Sequence, residues 1–323
     1  MPLVESTYNT PAFMANGHLQ TLYPYFFRKV KEVPFTRERI ELKDGDFIDI
    51  DFLNNNAKSL IVLSHGLEGS SNTGYIRGMS KFLGESANVD VVAWNMRSCS
   101  GELNRKKHFY HAASCEDLSE VIEHMKEKKT YDHVHIIGFS LGGNLTAFYA
   151  STMEEQKLSE INSATIYSGT LHLASSIKKL EDSQIGQFYS ENFLVTMRKK
   201  AIEKQKLGLL DIDPNQIRSC KSFIDFDELV TAPTNSFKNA QHYYEEASAI
   251  NVLHKIKVPT LLIQSKDDPF LTKECFPIRE AYRHKNLFLE ITPTGGHVGF
   301  MKLDKKLMFW SEERALQFIK EVA

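Results

Sequence analysis

The sequence predicts an α/β fold, a mostly parallel sheet with helices on both faces. Short apolar runs of strand length recur along the chain, and stretches with helical spacing separate them. One of the runs passes through a glycine-flanked serine, Ser140, directly into a helical segment. Strands that alternate with helices in this way need crossover connections, which make the sheet parallel and bury both of its faces.

Taken in order, residues 1–36 are irregular in pattern and rich in aromatics, with Tyr23, Tyr25, Phe26 and Phe27 close together. They read as an arm packed on the body, because so much aromatic surface is poorly tolerated in water. Ile40–Leu42 and Ile48–Phe52 alternate on either side of Asp44-Gly45, the pattern of a hairpin. Buried strands are expected at Leu60–Ser64, Val89–Trp94, Val134–Phe139, Ala164–Tyr167, Thr260–Gln264 and Leu287–Ile291. Leu118, Val121, Ile122 and Met125 fall at i, i+3, i+4 and i+7, and Ser114 with Asp117 reads as a capping box opening that helix. From about 174 to 257 no run is a convincing buried strand. Leu194–Leu210 is rich in helix formers, and Pro214 and Pro233 punctuate the rest. So long a stretch between two core strands is too much for a loop. It is expected to be a helical cap insertion, 174–257, dividing the core into 37–173 and 258–323.

Composition excludes several classes. The 323 residues are 42% hydrophobic and 25% charged, and Lys+Arg 39 against Asp+Glu 41 gives a formal charge of −2. That balance supplies no field for nucleic acid or an anionic membrane. Met1–Ser6 has no signal-peptide pattern, and the apolar runs are far shorter than the ~20 residues of a membrane span. Cys99, Cys115, Cys220 and Cys275 are widely spaced, unlike a disulfide framework or a thiolate metal site. A cytoplasmic protein is expected; the sequence assigns no oligomeric state.

The chemistry concentrates in a few turns. Gly138-Phe139-Ser140-Leu141-Gly142 is G-x-S-x-G between a strand and a helix. There a tight turn lifts the serine above the sheet, and the helix N-terminus faces any developing anion. Ser140 is the expected nucleophile, and it needs a base oriented by a carboxylate. The strand Thr260–Gln264 runs into Asp267-Asp268-Pro269-Phe270, and Leu287–Ile291 runs into Gly295-Gly296-His297. His297, set between glycines with little to pack against, is the expected base. Asp268 is preferred as the acid for its place before proline, with Asp267 as the alternative. The order Ser…Asp…His, 128 residues from 140 to 268 and 29 from 268 to 297, is that of α/β-hydrolases. His65-Gly66-Leu67-Glu68-Gly69 follows the first core strand, so the N–H groups of Leu67 and Leu141 are the expected oxyanion hole.

Other features have plainer readings. His65 is expected to bond loop backbone. His108, His111 and Cys115 could be drawn as metal ligands, but no second cluster completes a site, so neither metal nor cofactor is expected. Arg97–Gly101 is expected to rim the pocket, with Cys99 a packed small residue. Arg198-Lys199-Lys200 reads as a solvated helix face.

The chain resembles the YheT-type branch of the α/β-hydrolases, bacterial esterases related to eukaryotic ABHD lipid hydrolases. The resemblance runs through Asn16-Gly17-His18-Leu19-Gln20-Thr21, Asp44–Phe47, His65–Gly69, Cys99–Glu102 with Asn104-Arg105, and Tyr110-His111. It continues through Gly138–Asn144, Phe226-Asp227 with Thr231-Ala232, Asp267–Phe270 and Gly296–Phe300. It implies a helical cap over a Ser140–Asp268–His297 triad acting on esters. Two positions depart: Ser98 stands where relatives usually have Gly, and Ser168-Gly169-Thr170 where many have Ser-x-Pro. Lacking the eukaryotic relatives' membrane anchor at its start, the chain is less secure as a bilayer phospholipid hydrolase. The expected function is a serine esterase working through an acyl-enzyme on a small-molecule ester, acyl or lipid-like in character. Thioesterase or (lyso)phospholipase action on the same triad is the alternative, and a non-catalytic binding protein the rival from another class.

Overall fold

The computed structural model describes residues 3–302 and 309–322, so the first two residues of the arm and 303–308 of the second core segment lie outside it. Each apolar run forms a strand. In chain order these are β1 (Leu3–Val4), β2 (Thr36–Glu41), β3 (Phe47–Leu53), β4 (Ser59–Ser64), β5 (Asp90–Trp94), β6 (His133–Phe139), β7 (Ser163–Tyr167), β8 (Thr260–Ser265) and β9 (Leu287–Thr292). They make one sheet in the order β1-β9-β8-β7-β6-β4-β5-β3-β2. All pairings are parallel except the β2–β3 hairpin and its junction with β5.

The helices follow the rhythm expected of crossovers. They are α1 (Gly17–Phe27), α2 (Gly74–Ala87), α3 (Cys115–Lys128), α4 (Leu141–Thr152) and α5 (Glu155–Leu158). Between β7 and β8 come α6 (Leu173–Glu181), α7 (Gln184–Lys206), α8 (Pro214–Ser219), α9 (Phe223–Phe226), a π-helical turn at Asp227–Thr231, α10 (Ala232–Thr234) and α11 (Ala240–Ala247). Two 3₁₀ turns lead from there to β8, and α12 (Ile278–Arg283) and α13 (Trp310–Val322) complete the core. The core divides by strand alternation. Leu60, Val62 and Ile136 face a cluster with Leu118, Val121 and Leu145, whereas Ile61, Leu63 and Ile137 face Ile76, Leu83 and Phe318. Among the described residues no helix is long and apolar enough to cross a membrane.

Two local expectations, the arm and the capping box, are corrected. The arm is not irregular, since it contains α1 and pairs β1 onto β9. Nor does it bury its aromatics: Tyr25, Phe26 and Phe27 are 69%, 53% and 66% exposed. The inward side of α1 is instead small and polar, with Gly17 and Gln20 buried. The capping box at Ser114 does not form, and Asp117 instead makes two bonds, 2.8 and 2.7 Å, to Arg97. In the hairpin the polar alternates are buried too. Asp49 and Asp51 face their cross-strand partners Arg39 and Arg37, whose guanidiniums bond both oxygens of each carboxylate. Burial of those carboxylates is tolerable because each is paired and further hydrogen-bonded.

Candidate active site

Ser140 sits between β6 and α4 with φ 55° and ψ −119°, a strained conformation for a non-glycine residue. The turn closes because its neighbours are glycines. A Cβ on Gly142 would lie 2.3 Å from the His65 carbonyl oxygen, and one on Gly138 would lie 2.3 Å from that of Gly142. The strained backbone is held by the Ser140 N–H, which donates to the Tyr167 carbonyl at 2.9 Å.

Three side chains form one hydrogen-bonded line. Ser140 Oγ is 2.7 Å from His297 Nε2, and His297 Nδ1 is 2.9 Å and 3.1 Å from Asp268 Oδ2 and Oδ1. Asp268 is 1% exposed, and its Oδ1 also accepts the Phe270 N–H at 2.8 Å. With Nδ1 donating to the carboxylate, Nε2 is left as the acceptor for the serine hydroxyl. Asp267 faces elsewhere. Its Oδ1 accepts the Gly296 N–H at 2.9 Å and the Ser265 hydroxyl, bracing the turn that carries His297.

His297 does have a packing partner, contrary to the sequence expectation: its ring stacks on Phe270, centroids 4.1 Å apart at 16°. Its N–H donates to Thr21 Oγ1 at 2.9 Å, and the next N–H, of Val298, donates to Ser168 Oγ at 3.0 Å. Thr21 comes from α1 and Ser168 from the end of β7, so a second ring of hydroxyls fixes the imidazole's backbone. Neither role was read from the sequence, although Thr21 lies in a segment that carries the resemblance and Ser168 opens one that departs from it. Ser98, one of the two departures, and Ser168, which opens the other, both have positive φ, 64° and 49°, and so carry side chains through left-handed backbone.

Among the described residues neither Leu67 nor Leu141 donates a backbone hydrogen bond. The loop holding Leu67 is pinned by His65, whose Nδ1 is 2.7 Å from the Gly66 carbonyl and whose Nε2 accepts the Met96 N–H at 3.0 Å. Burial lowers the His65 pKa to about 4, so it is neutral and holds backbone, as expected.

A cavity opens over Ser140, with about 940 Å³ of space between its side chains, mouth included. Its walls are mostly apolar: Ile177, Phe193, Met197 and Phe223 from the helical segment face Leu67 and Phe270 from the core. The charged groups on its lining are the paired Glu68 and Lys200 and the buried Asp227, whose carboxyl burial pushes up to about 6.

Several plainer readings change. None of residues 97–101 lines the cavity. Arg97 is drawn away into bonds with Asp44, Asp46 and Asp117. Cys99 is buried, and burial pushes its thiol up to about 12. His108 stands with Asp44 and Asp46 rather than with His111 and Cys115, and the Arg97 guanidinium lies between them at 2.8–2.9 Å. Of the run Arg198-Lys199-Lys200 only Lys199 faces solvent. Arg198 donates to the Cys220 carbonyl at 2.7 Å, and Lys200 turns inward to Glu68.

The model of the alpha/beta hydrolase fold family matches residues 59–302. An Escherichia coli K12 protein named as an esterase, YheT, is 35% identical over 298 residues, covering 89% of this chain and 85% of its own length. Mouse phospholipase ABHD3 is 28% identical, covering 93% of this chain and 75% of its own. A Saccharomyces cerevisiae monoacylglycerol lipase is 24% identical over 95% of this chain and 79% of its own. Among solved structures, the Pyrococcus furiosus esterase Pf2001 superposes with a TM-score of 0.59 at 15% identity, covering 91% of this chain and 98% of that one, a likeness of fold alone.

Proposed function

The chain belongs to the α/β-hydrolase fold family, and from that premise we propose that it is a serine hydrolase of carboxylic esters working through an acyl-enzyme. The observation that carries the proposal is the line Asp268–His297–Ser140, with bonds of 2.9 and 2.7 Å ending on a strained serine at a helix N-terminus. In the first half-reaction His297 Nε2 takes the Ser140 proton as Oγ bonds to the ester carbonyl carbon. The carbonyl oxygen becomes an oxyanion held by the N–H groups of Leu67 and Leu141. The tetrahedral intermediate collapses by breaking the bond to the alcohol oxygen, which leaves with the proton from His297. Water then attacks the acyl-serine by the same route, regenerating Ser140 and releasing the acid. Asp268 keeps the proton on Nδ1 and stabilises the imidazolium as it forms.

In this reading the helices of 174–257 act as a cap whose apolar side chains receive the acyl group. A thioester or a phospholipid acyl ester is the second reading, favoured by those apolar walls and by relatives named as a phospholipase and a monoacylglycerol lipase. The test is labelling with a fluorophosphonate probe, with hydrolysis of ester and thioester substrates matched in acyl chain. Labelling is expected in the parent and lost in Ser140→Ala. Persistent labelling of Ser140→Ala would remove the nucleophile assignment.

A further inference from the structure

We propose that Lys200 is a positioning residue for the oxyanion hole, reaching in from α7 to hold Glu68 and, through it, the backbone of Leu67. The proposal rests on the reading of Ser140 and Leu67 given above. Glu68 directly follows Leu67 and has a φ of 53°, so this loop is not held by its own backbone preference. Besides His65 and the Gly69 N–H donated to the Gly66 carbonyl, two tyrosines hold it. The Gly66 N–H donates to Tyr75 Oη at 2.9 Å and the Glu68 N–H to Tyr110 Oη at 2.7 Å, while that hydroxyl donates back to Glu68 Oε1 at 3.0 Å.

The counter-charge comes from the helical segment. Lys200 Nζ lies 2.9 Å from Oε1 and 2.9 Å from Oε2 of Glu68, with the two side chains 19% and 7% exposed. A carboxylate so buried requires a partner, and removing the partner leaves a charge that the loop must move to solvate. Motion at Glu68 passes through Leu67 to the Gly66–Leu67 peptide, whose N–H must meet the oxyanion, because the Glu68 N–H itself is held by Tyr110. A displacement of about 1 Å at such a site costs on the order of 10² in rate.

Two more lysines of the segment follow the same plan. Lys179 of α6 donates to the carbonyls of Asp268 and Leu271 at 2.8 and 2.5 Å. Lys204, one turn beyond Lys200 on α7, donates to the carbonyls of Lys106 and His108 at 2.8 and 2.9 Å. Three inward lysines thus grip the oxyanion loop, the loop of the carboxylate that meets His297, and the loop leading to Tyr110. Ammonium groups are costly to bury, and each of these reaches a loop of the core rather than lying in the interior of the segment. The segment therefore does more than cover the substrate: its seating sets the geometry of the loops beneath it.

The experiment compares Lys200→Met, Lys200→Arg, Glu68→Gln and the Lys200→Met/Glu68→Gln double variant. The exposed Lys199→Met is the control, with kcat, KM and thermal midpoint measured for each. Lys200→Met is expected to lower kcat by about 10- to 100-fold with KM within about threefold, the pattern of an interaction felt in the transition state. Lys200→Arg should recover most of the loss, and the double variant should be no slower than the slower single one. If Lys200→Met does not fold, Lys200→Gln, which keeps a hydrogen-bond donor, gives the same comparison. An unchanged kcat, a loss confined to KM, or strictly additive losses in the double variant would overturn the proposal. Fluorophosphonate labelling of the parent separates the two readings. A labelled, active parent with an unaffected Lys200→Met refutes only the positioning role, whereas an unlabelled, inactive parent refutes both.

Discussion

Two adjacent aspartates lie within reach of the His297 turn, and replacing each by asparagine distinguishes their work. Asp268 meets Nδ1 at 2.9 Å from a site 1% exposed, so in the proposed mechanism the charge that His297 would acquire in the transition state is balanced there with little help from water. An asparagine that turns its NH₂ toward Nδ1 makes that nitrogen the acceptor and moves the ring proton to Nε2, where it opposes the Ser140 hydroxyl. The expected loss in kcat for Asp268→Asn is about 10⁴-fold, or about 5 kcal/mol of transition-state stabilisation. Asp267 is different, because its Oδ1 receives the Gly296 N–H and the Ser265 hydroxyl, and an amide oxygen can accept both. Asp267→Asn should therefore lose less than about tenfold, the scale of one altered neutral hydrogen bond. Hydrolysis of a 4-nitrophenyl ester under saturating and single-turnover conditions measures both, with urea midpoints showing whether either variant has lost its fold. Retention of activity within tenfold by Asp268→Asn, together with a thousandfold loss in Asp267→Asn, would refute the assignment.

Two further outcomes follow from backbone and burial. Burial raises the Asp227 carboxyl from 3.8 to about 6, so the folded chain holds a proton that the unfolded chain releases between those values. Stability thus falls as pH rises through that window, and Asp227→Asn should gain up to about 3 kcal/mol above pH 6 and little below pH 4, read from urea midpoints against pH. Gly142→Ala would drive a Cβ to 2.3 and 2.5 Å from the His65 and Ser64 carbonyl oxygens. Both obstacles are backbone, so a loss of at least about 2 kcal/mol in unfolding free energy is expected, and a stability equal to the parent's would contradict the described turn.

The fold was largely legible because its signals are local. An apolar run of five residues between turn signals, or four apolar residues at i, i+3, i+4 and i+7, is written by near neighbours. Each of the six expected core strands is present within a residue at either end. The candidate site was legible for the same reason at Ser140, where a turn that excludes side chains leaves glycines in the sequence. Polarity misled where pairing overrode it. The run Arg198–Lys200 read as a solvated helix face, yet Lys200 is turned inward to Glu68, and Asp49 and Asp51 are likewise buried against arginines of the neighbouring strand. The aromatic arm misled in the opposite sense, since α1 seats itself by Gly17, Gln20 and Thr21 and leaves Tyr25, Phe26 and Phe27 outside.

By itself the amino-acid order determined the α/β class, the strand-to-helix turn at Ser140, the Ser…Asp…His succession and the interruption between the two core segments. Only the tertiary structure decided which aspartate meets Nδ1 of His297, that Phe270 stacks on its ring, that Thr21 and Ser168 hold its backbone, and that Lys200 lies on Glu68. The physical reason is separation along the chain: Lys200 and Glu68 are 132 residues apart, and His297 and Thr21 are 276. Periodicity records which face of an element is buried, but the partner that fills it is chosen by how all the elements pack together.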